Sequence, residues 1–347
     1  MSSDQSPSTE KGADSVLVLG AGSWGTALAM LLARNGHTTY LWSHNAQHAE
    51  EMREQRCNSR YLPDIPFPDQ LQVVVDYATV INQVKDILIA VPSHAFRDCL
   101  KQLAPYLHKD IRIAWATKGL EGGTHKLMHS VFAEVLGNER PCALVSGPSF
   151  AKEVAQDLPT AVTVASADQA FASDFASYLH KGNFRAYTNK DIVGVEIGGA
   201  TKNVLAIAAG IADGLGYNAN TRAALITRGL AEMMRLGIAA GGQPETFMGL
   251  AGLGDLVLTC SDNQSRNRRF GLALGQGKSW QQAVDEIQQV VEGAQAAKEV
   301  YALAAEYKID MPITAQVYRV LYEGLNPKEA VQSLLERSPT SEGCRKN

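Results

Sequence analysis

The sequence predicts an α/β protein in which a doubly wound parallel sheet is followed by an all-α C-terminal domain. Three observations support this prediction. A glycine-rich turn joins an apolar strand to a helix near the amino terminus, strand and helix patterns then alternate to about residue 190, and helical periodicity dominates the rest of the chain. At 347 residues the chain is long enough for two domains.

The first element is the strand, turn and helix at 15–29, whose turn has the pattern Gly20-x-Gly22-x-x-Gly25. In a Rossmann-type dinucleotide-binding unit, the first glycine allows a tight turn, the second lets the backbone approach a pyrophosphate, and the third lets helix and strand pack closely. The amino terminus of the helix then faces the phosphates. The alternative, a glycine turn without a ligand, is disfavoured because the motif follows a strand and opens a helix that ends at Gly36.

Apolar runs after this unit predict further strands, at 37–42, 71–75, 86–92, 111–116, 142–146, 160–165 and 184–187. Helical patterns lie between several of them, at 94–103, 124–136 and 168–180. Strands that alternate with helices are typical of a doubly wound parallel sheet. We therefore expect an NAD(P)-binding Rossmann-type domain over residues 15–190.

Beyond residue 190 the sequence predicts helices and no strand. A long helix rich in small residues is expected at 192–216 and a second at 221–240, followed by shorter helices at 279–287, 292–307, 313–322 and 327–336. This pattern indicates an all-helical substrate domain over residues 191–337. A cleft is then expected between the two domains, at the carboxyl ends of the strands.

Composition and charge exclude several classes of protein. Hydrophobic residues make up 45% of the chain and the net charge is −4, so no basic field favours nucleic acid. The five cysteines form no CxxC pair, which argues against a metal site and for a reducing compartment. Residues 1–14 lack the apolar core of a signal peptide and are expected to be a disordered leader, as 338–347 are expected to be a disordered tail. The apolar run at 204–212 is too short to span a bilayer, so a cytoplasmic location is expected.

Polar residues at strand ends and glycine turns are the candidates for chemistry. Lys118 and Ser149 each follow a predicted strand, which places both at the carboxyl edge of the sheet. Lys202 lies in an apolar helix rich in small residues, where a functional amine fits better than a solvated surface charge. A second glycine-rich loop at 249–254 ends in the carboxylate of Asp255.

The segment 261–269 combines residues that start helices with three arginines. An arginine beside a helix amino terminus is suited to binding a phosphate group. A solvated basic turn is the alternative interpretation.

Taken together and in this order, the motifs resemble the NAD(P)-dependent glycerol-3-phosphate dehydrogenases of the bacterial type over residues 15–336. The motifs are Gly-Ala-Gly-Ser-Trp-Gly-Thr-Ala at 20–27, Thr-Lys-Gly at 117–119, Ser-Gly-Pro-Ser at 146–149, and the segments 196–203, 249–255 and 265–267. The resemblance implies an oxidoreductase that interconverts dihydroxyacetone phosphate and sn-glycerol 3-phosphate in the cytoplasm and feeds glycerophospholipid synthesis. It also makes a homodimer plausible.

The resemblance assigns roles by motif. Lys202 corresponds to the general acid/base, and Arg266 and Asn267 would hold the substrate phosphate. The full set of implied substrate contacts is Lys118, Gly147, Ser149, Lys202, Asp255, Ser265, Arg266 and Asn267. The implied cofactor contacts are Gly20, Gly22, Ser23, Trp24, Gly25, His44, Lys118, Ala151, Arg266, Val290 and Glu292.

The residues after the second strand bear on the choice between NADP and NAD. An acidic residue about twenty positions beyond the glycine motif would bind the ribose 2′-hydroxyl of NAD and repel a 2′-phosphate. Residues 42–45 here are Trp-Ser-His-Asn, without a carboxylate. We therefore expect NADPH to be accepted and preferred, with NADH also able to serve.

Two alternative functions stay open at this point. Another two-domain dehydrogenase, acting on a 3-hydroxyacid or a sugar acid, would share the fold and a helical lysine but would not need the phosphate-binding segment 265–267. A non-catalytic NAD(P) sensor would leave Lys118, Lys202 and Asp255 without a role.

Overall fold

The computed structural model describes residues 14–287 and 291–338. It confirms the predicted fold class, because a sheet of eight strands flanked by helices precedes a region built from helices. We call residues 14–189 the sheet domain and the described residues from 192 onward the helical domain. Residues 1–13 of the expected leader and 339–347 of the expected tail lie outside the described residues.

The strands of the described chain are numbered in order. They are β1 Ser15–Leu19, β2 Thr38–Trp42, β3 Cys57–Asn58, β4 Leu62–Pro66, β5 Leu71–Val74, β6 Asp86–Ile89, β7 Arg112–Trp115, β8 Cys142–Ser146, β9 Thr160–Ala165 and β10 Phe184–Asn189. The main sheet has the order β10-β9-β8-β7-β6-β1-β2-β5, while β3 and β4 form a separate antiparallel pair that the sequence did not predict.

The helices are numbered in the same way. They are α1 Ser23–Arg34, α2 Ala46–Gln55, α3 Ser93–Leu103, α4 Met128–Leu136, α5 Ala151–Ala155, α6 Gln169–Leu179, α7 Ile192–Gly214, α8 Ala219–Ala239, α9 Pro244–Phe247, α10 Asp255–Ser261, α11 Arg266–Gly275, α12 Trp280–Ile287, α13 Glu292–Glu306, α14 Pro312–Tyr322 and α15 Pro327–Leu335. The prediction of a loop at 249–254 was wrong, because Leu250–Gly254 forms a π-helical turn that leads into α10.

One strand pairing departs from the predicted parallel sheet. β9 runs antiparallel to β8, and β10 is parallel to β9. The connection at 147–159 contains only the five-residue α5, which spans about 7.5 Å at about 1.5 Å per residue. Such a helix cannot carry the chain back along a strand of about 16 Å, as a parallel crossover requires. β9 therefore starts where β8 ends, which keeps the connection at the carboxyl edge.

The glycine motif has the packing that the sequence predicts. Gly20 has a φ of +116°, and a Cβ there would lie 2.6 Å from the carbonyl oxygen of Ala90. A Cβ at Gly25 would lie 1.9 Å from the carbonyl oxygen of Gly20. A Cβ at Gly22 would meet open space. Gly20 and Gly25 are thus required by the fold, and Gly22 leaves room above the amino terminus of α1.

Helix α7 is the centre of the helical domain. By length and composition, this helix of 23 residues could cross a membrane. It is longer than the apolar run at 204–212 from which the sequence excluded a membrane span. Within its most apolar window, 89% of the residues are buried inside the protein. Helix α7 is therefore buried in the way expected of a helix in the core of the protein.

Helices α7 and α11 touch through their backbones. A Cβ at Gly210 would lie 2.0 Å from the carbonyl oxygen of Arg268, and one at Gly271 would lie 2.1 Å from that of Ile207. Gly214 and Gly275 extend the same contact by one turn, as expected for a helix rich in small residues. This close approach brings the first turn of α11 next to the middle of α7.

Candidate active site

Two lysines share one buried carboxylate where the sheet edge meets the helical domain. The Nζ atom of Lys202, on α7, donates to Oδ1 of Asp255 at 2.5 Å and to the hydroxyl of Thr259 at 3.2 Å. The Nζ atom of Lys118, just after β7, donates to the other oxygen, Oδ2, at 2.8 Å. Asp255 is 1% exposed and Lys202 is 7% exposed. Residues that are 137 positions apart in the chain are thus joined by a single carboxylate.

The charges in this cluster set its protonation. Burial lowers the pKa of Lys202 to about 8; Asp255 opposes this effect and Lys118 adds to it. Burial alone would raise the pKa of Asp255, but the two ammonium groups outweigh it and hold that pKa below its ordinary value. The cluster therefore contains an ionised carboxylate and an amine that can exchange a proton near neutral pH.

The turn before α10 explains how Asp255 reaches this position. A Cβ at Gly198 would lie 2.6 Å from the carbonyl oxygen of Ala251, and one at Gly252 would lie 2.2 Å from that of Phe247. Gly198 of α7 therefore lets the π-helical turn pass directly against that helix, and Gly252 lets the turn close against the end of α9. Asp255 follows as the first residue of α10, where the helix dipole favours a negative charge.

Gly147 and Ser149 lie beside Lys118 at the sheet edge. The carbonyl oxygen of Gly147 accepts from the Lys118 Nζ at 3.3 Å and from the Ser149 hydroxyl at 3.0 Å. Gly147 has a φ of +143°, and a Cβ there would lie 3.0 Å from the Cα of Val162. A side chain at this position would therefore push β9 away from the site.

The segment 265–267 forms the amino terminus of α11. Ser265 is the N-cap, and its hydroxyl accepts from the backbone N–H of Arg268 at 3.2 Å. Asn267 donates to the side-chain oxygen of Asn203 at 3.0 Å and accepts from the backbone N–H of Gly293 at 2.9 Å. Asn267 thus links α11 to α7 and α13, next to Lys202. Arg266 is half-buried in the first turn of α11, where an anion is favoured.

The sequence missed several residues that build this site. Thr259 follows Asp255 by one helical turn and contacts the same lysine, and Asn203 receives the amide of Asn267. Arg268 has a structural role. It is buried, pairs with Asp213 at 2.5 Å and donates to the carbonyl oxygen of Cys260 at 3.0 Å. Two signals in the sequence could have identified members of this group: the helical spacing from Asp255 to Thr259, and the place of Asn203 directly after Lys202 in the motif 196–203.

The helical domain also has an apolar groove of 770 Å³ between α7, α8, α14 and α15. Ile211, Leu225 and Val317 are among the side chains that line it, and none of the predicted site residues does so. Glu232 lies at its base, where burial raises its pKa to about 7. Its carboxylate accepts from the backbone N–H groups of Ile313 and Thr314 at the start of α14, so it serves as a helix cap.

Comparison with known proteins identifies the family. Residues 15–172 match the N-terminal family model of NAD-dependent glycerol-3-phosphate dehydrogenase, and residues 191–332 match the C-terminal one. A glycerol-3-phosphate dehydrogenase [NAD(P)+] from Serratia proteamaculans is 57% identical, over 94% of this chain and 97% of its own. The chain belongs to the NAD-dependent glycerol-3-phosphate dehydrogenase family. This confirms the resemblance found in the sequence.

Further relatives of the glycerol-3-phosphate dehydrogenase family agree. An enzyme of the same name from Aeromonas hydrophila is 56% identical over 94% of this chain and 98% of its own. The crystal structure of a glycerol-3-phosphate dehydrogenase from Coxiella burnetii superposes with a TM-score of 0.91 at 52% identity, covering 94% of this chain and 99% of that one.

A glycerol-3-phosphate dehydrogenase uses NAD or NADP, and the glycine turn of this chain fits a dinucleotide. The N-cap of α1 is Gly22, over open space, so free N–H groups can face a pyrophosphate. Ser23 lies beside it, and its hydroxyl donates to the carbonyl oxygen of Tyr61 at 3.4 Å. The indole Nε1 of Trp24 is buried and has no hydrogen-bond partner in the described part of the chain.

Three of the other residues predicted to contact the cofactor lie on separate elements of the chain. His44 is exposed just after β2, Ala151 is the first residue of α5, and Glu292 is the half-buried first residue of α13. Val290 lies outside the described residues. Within the described ranges, no group of three or more His, Cys, Asp and Glu side chains is placed to hold a metal ion.

Proposed function

We propose that this chain interconverts dihydroxyacetone phosphate and sn-glycerol 3-phosphate with NAD(P)H, using Lys202 as the general acid/base. The observation that carries the proposal is the buried cluster of Lys202, Asp255 and Lys118 beside the first turn of α11. In this proposal the cluster supplies the proton and the amino terminus of α11 binds the substrate anion. The glycine turn after β1 lies at the same carboxyl edge of the sheet as Lys118 after β7.

Lys202 moves the proton in both directions. Reduction of the ketone needs a hydride, which the bound nicotinamide supplies, and a proton at the carbonyl oxygen. The Lys202 ammonium donates that proton, and the neutral amine recovers it in the oxidation of the alcohol. A pKa of about 8 keeps both forms accessible near neutral pH. Asp255 orients the amine, and Lys118 donates to the other oxygen of the same carboxylate.

The first turn of α11 holds the phosphate in this proposal. A phosphate dianion is best bound by charge-assisted donors, of which a bidentate arginine is the strongest. Arg266 supplies the guanidinium, and Ser265 and Asn267 flank it. Asn267 is already fixed by Asn203 and Gly293, so this turn needs little reorganisation to bind substrate.

The remaining assignments extend the same proposal. Gly147 and Ser149 line the substrate pocket next to Lys118. His44, Ala151 and Glu292 contact the cofactor together with the glycine turn. We also propose that the enzyme is a cytoplasmic homodimer whose product supplies the glycerol backbone of glycerophospholipids.

Oxidation of NADPH by dihydroxyacetone phosphate, followed by absorbance, tests the proposed reaction. Turnover with this substrate, and none with 3-hydroxyacids or sugar acids in the reverse direction, separates it from the other two-domain dehydrogenases. Binding of NADPH without turnover on any of these substrates would instead favour a nucleotide sensor.

We expect NADPH to be used with a higher kcat/KM than NADH. The chain after β2 presents the exposed His44 and no carboxylate, so nothing there repels a 2′-phosphate. Steady-state rates with both cofactors at saturating dihydroxyacetone phosphate measure the preference. A large preference for NADH would contradict this expectation.

A further inference from the structure

The loop that follows Lys118 is anchored to the helical domain by a buried carboxylate. This β7–α4 loop comprises residues 119–127, and its tip lies against α13. Glu299 of α13 has a fully buried side chain. Its carboxylate accepts from the backbone N–H of Gly123 at 3.2 Å and contacts Nδ1 of His125. Glu299, Gly123 and His125 all lie outside the active site described above.

A second carboxylate repeats the arrangement at the far end of the loop. Glu196 of α7 is buried, accepts from the backbone N–H of His129 at 2.9 Å and pairs with Nδ1 of the same residue at 2.6 Å. Burial lowers the pKa of His129, but the Glu196 carboxylate outweighs burial and leaves that pKa above its ordinary value. In both places, one helical-domain carboxylate binds a backbone N–H and an imidazole of the sheet domain.

The loop needs such anchors because its backbone is not in a relaxed conformation. His125 has a φ of +59°, a left-handed conformation that costs free energy for a residue other than glycine. On the opposite side, Arg97 of α3 binds the Glu121 carboxylate through two hydrogen bonds of 2.5 and 2.8 Å. The loop is therefore held between α3 of its own domain and α13 of the other.

Lys118 lies immediately before this loop and is the sheet domain's contribution to the Asp255 cluster. We propose that Glu299 is a positioning residue for Lys118: by fixing the tip of the β7–α4 loop on α13, it holds the Lys118 ammonium on Asp255. This inference rests on the proposed role of Lys118 in the active site. A buried carboxylate is stable only while its partners stay in place, so the contacts of Glu299 also set the spacing of the two domains at this point.

The substitution Glu299→Gln keeps the size of the side chain and an oxygen for the Gly123 N–H but removes the charge that faces His125. The loop and Lys118 then lose part of their restraint. We expect kcat/KM for dihydroxyacetone phosphate to fall by about 10- to 100-fold, the scale of a misplaced catalytic group. The affinity for NADPH should fall much less, because the glycine turn is left intact and Lys118 is only one of several implied cofactor contacts. Glu306→Gln, which alters an exposed carboxylate two turns further along α13, is the matched control and should leave both quantities unchanged.

A double-mutant cycle with Lys118→Met separates positioning from a structural role. If Glu299 acts through Lys118, adding Glu299→Gln to Lys118→Met lowers kcat/KM by less than about twofold more. Single-turnover measurements with enzyme in excess allow the rates of slow variants to be measured. The inference would be overturned if Glu299→Gln lowered kcat/KM equally in the wild type and in Lys118→Met, or if Glu299→Gln alone left kcat/KM unchanged.

The same cycle can be run with His125→Asn if Glu299→Gln fails to fold. Asparagine tolerates the left-handed backbone, and His125 is partly exposed, so this variant keeps the fold while removing the imidazole contact. The same non-additivity is expected, and additive losses would overturn the inference. A wild-type enzyme that does not turn over dihydroxyacetone phosphate would contradict the proposed function instead, so the two failures are distinguishable.

Discussion

Replacement of Lys202 by methionine should lower turnover of dihydroxyacetone phosphate by at least about 100-fold, because loss of a general acid typically costs 10² to 10⁴ in rate. Methionine keeps most of the stem and its packing in the buried middle of α7 but cannot donate a proton. The Asp255 carboxylate retains its bond to Lys118 at 2.8 Å, so it is not left without a cation.

Cofactor binding and turnover are both measured on the Lys202→Met variant. NADPH binding, followed by fluorescence titration, should match that of the wild type, because the glycine turn lies in the sheet domain away from Lys202. Turnover is measured on the same folded sample. Near-normal turnover would make Lys202 a structural residue and Lys118 the leading candidate for the proton donor.

Replacement of Arg266 by alanine should weaken the use of dihydroxyacetone phosphate by roughly 2–4 kcal/mol in transition-state free energy, by analogy with the loss of one partner of a buried charge pair. The arginine lies in the first turn of α11, beside the Ser265 N-cap and the fixed amide of Asn267. If Arg266 also contacts the cofactor, as the family resemblance implies, NADPH affinity falls as well.

A truncated substrate shows whether the loss of kcat/KM in Arg266→Ala arises from a lost contact to the substrate phosphate. Dihydroxyacetone lacks the phosphate, so its much lower kcat/KM should change little between the wild type and Arg266→Ala. Arg228→Ala, which removes an exposed arginine of α8 outside the site, is the control and should have no effect. Equal losses with both substrates would assign Arg266 to the cofactor or the fold, and unchanged kcat/KM would remove it from the site.

Local sterics made the cofactor turn predictable. A Cβ at Gly25 would collide with the backbone of Gly20, five residues earlier, and a Cβ at Gly20 would collide with the backbone of Ala90 after the neighbouring strand. The long α7 was predictable for a related reason, since its small residues indicated a helix that others approach closely. Both features depend on residue type at short spacing, which a single sequence shows directly.

Features that depend on distant partners were not predictable in the same way. The direction of β9 depends on how short α5 turns out to be, and the turn at 249–254 is helical because it packs on α7. The resemblance placed Lys118 and Asp255 beside Lys202, but the bridging of both lysines by one carboxylate, and the resulting pKa of Lys202, follow only from three-dimensional distances. Glu299 gave no signal at all, because its partners Gly123 and His125 lie in another domain.

The pH dependence of kcat/KM in both directions is the most direct test of Lys202 as the general acid/base. Reduction needs the ammonium, so its kcat/KM should be constant at lower pH and fall as the pH rises through about 8. Oxidation of sn-glycerol 3-phosphate needs the neutral amine, so its kcat/KM should fall as the pH drops through the same value. Two opposite limbs that meet near pH 8, both absent in Lys202→Met, are the predicted result. Limbs that persist in Lys202→Met, or rates independent of pH in both directions, would contradict it.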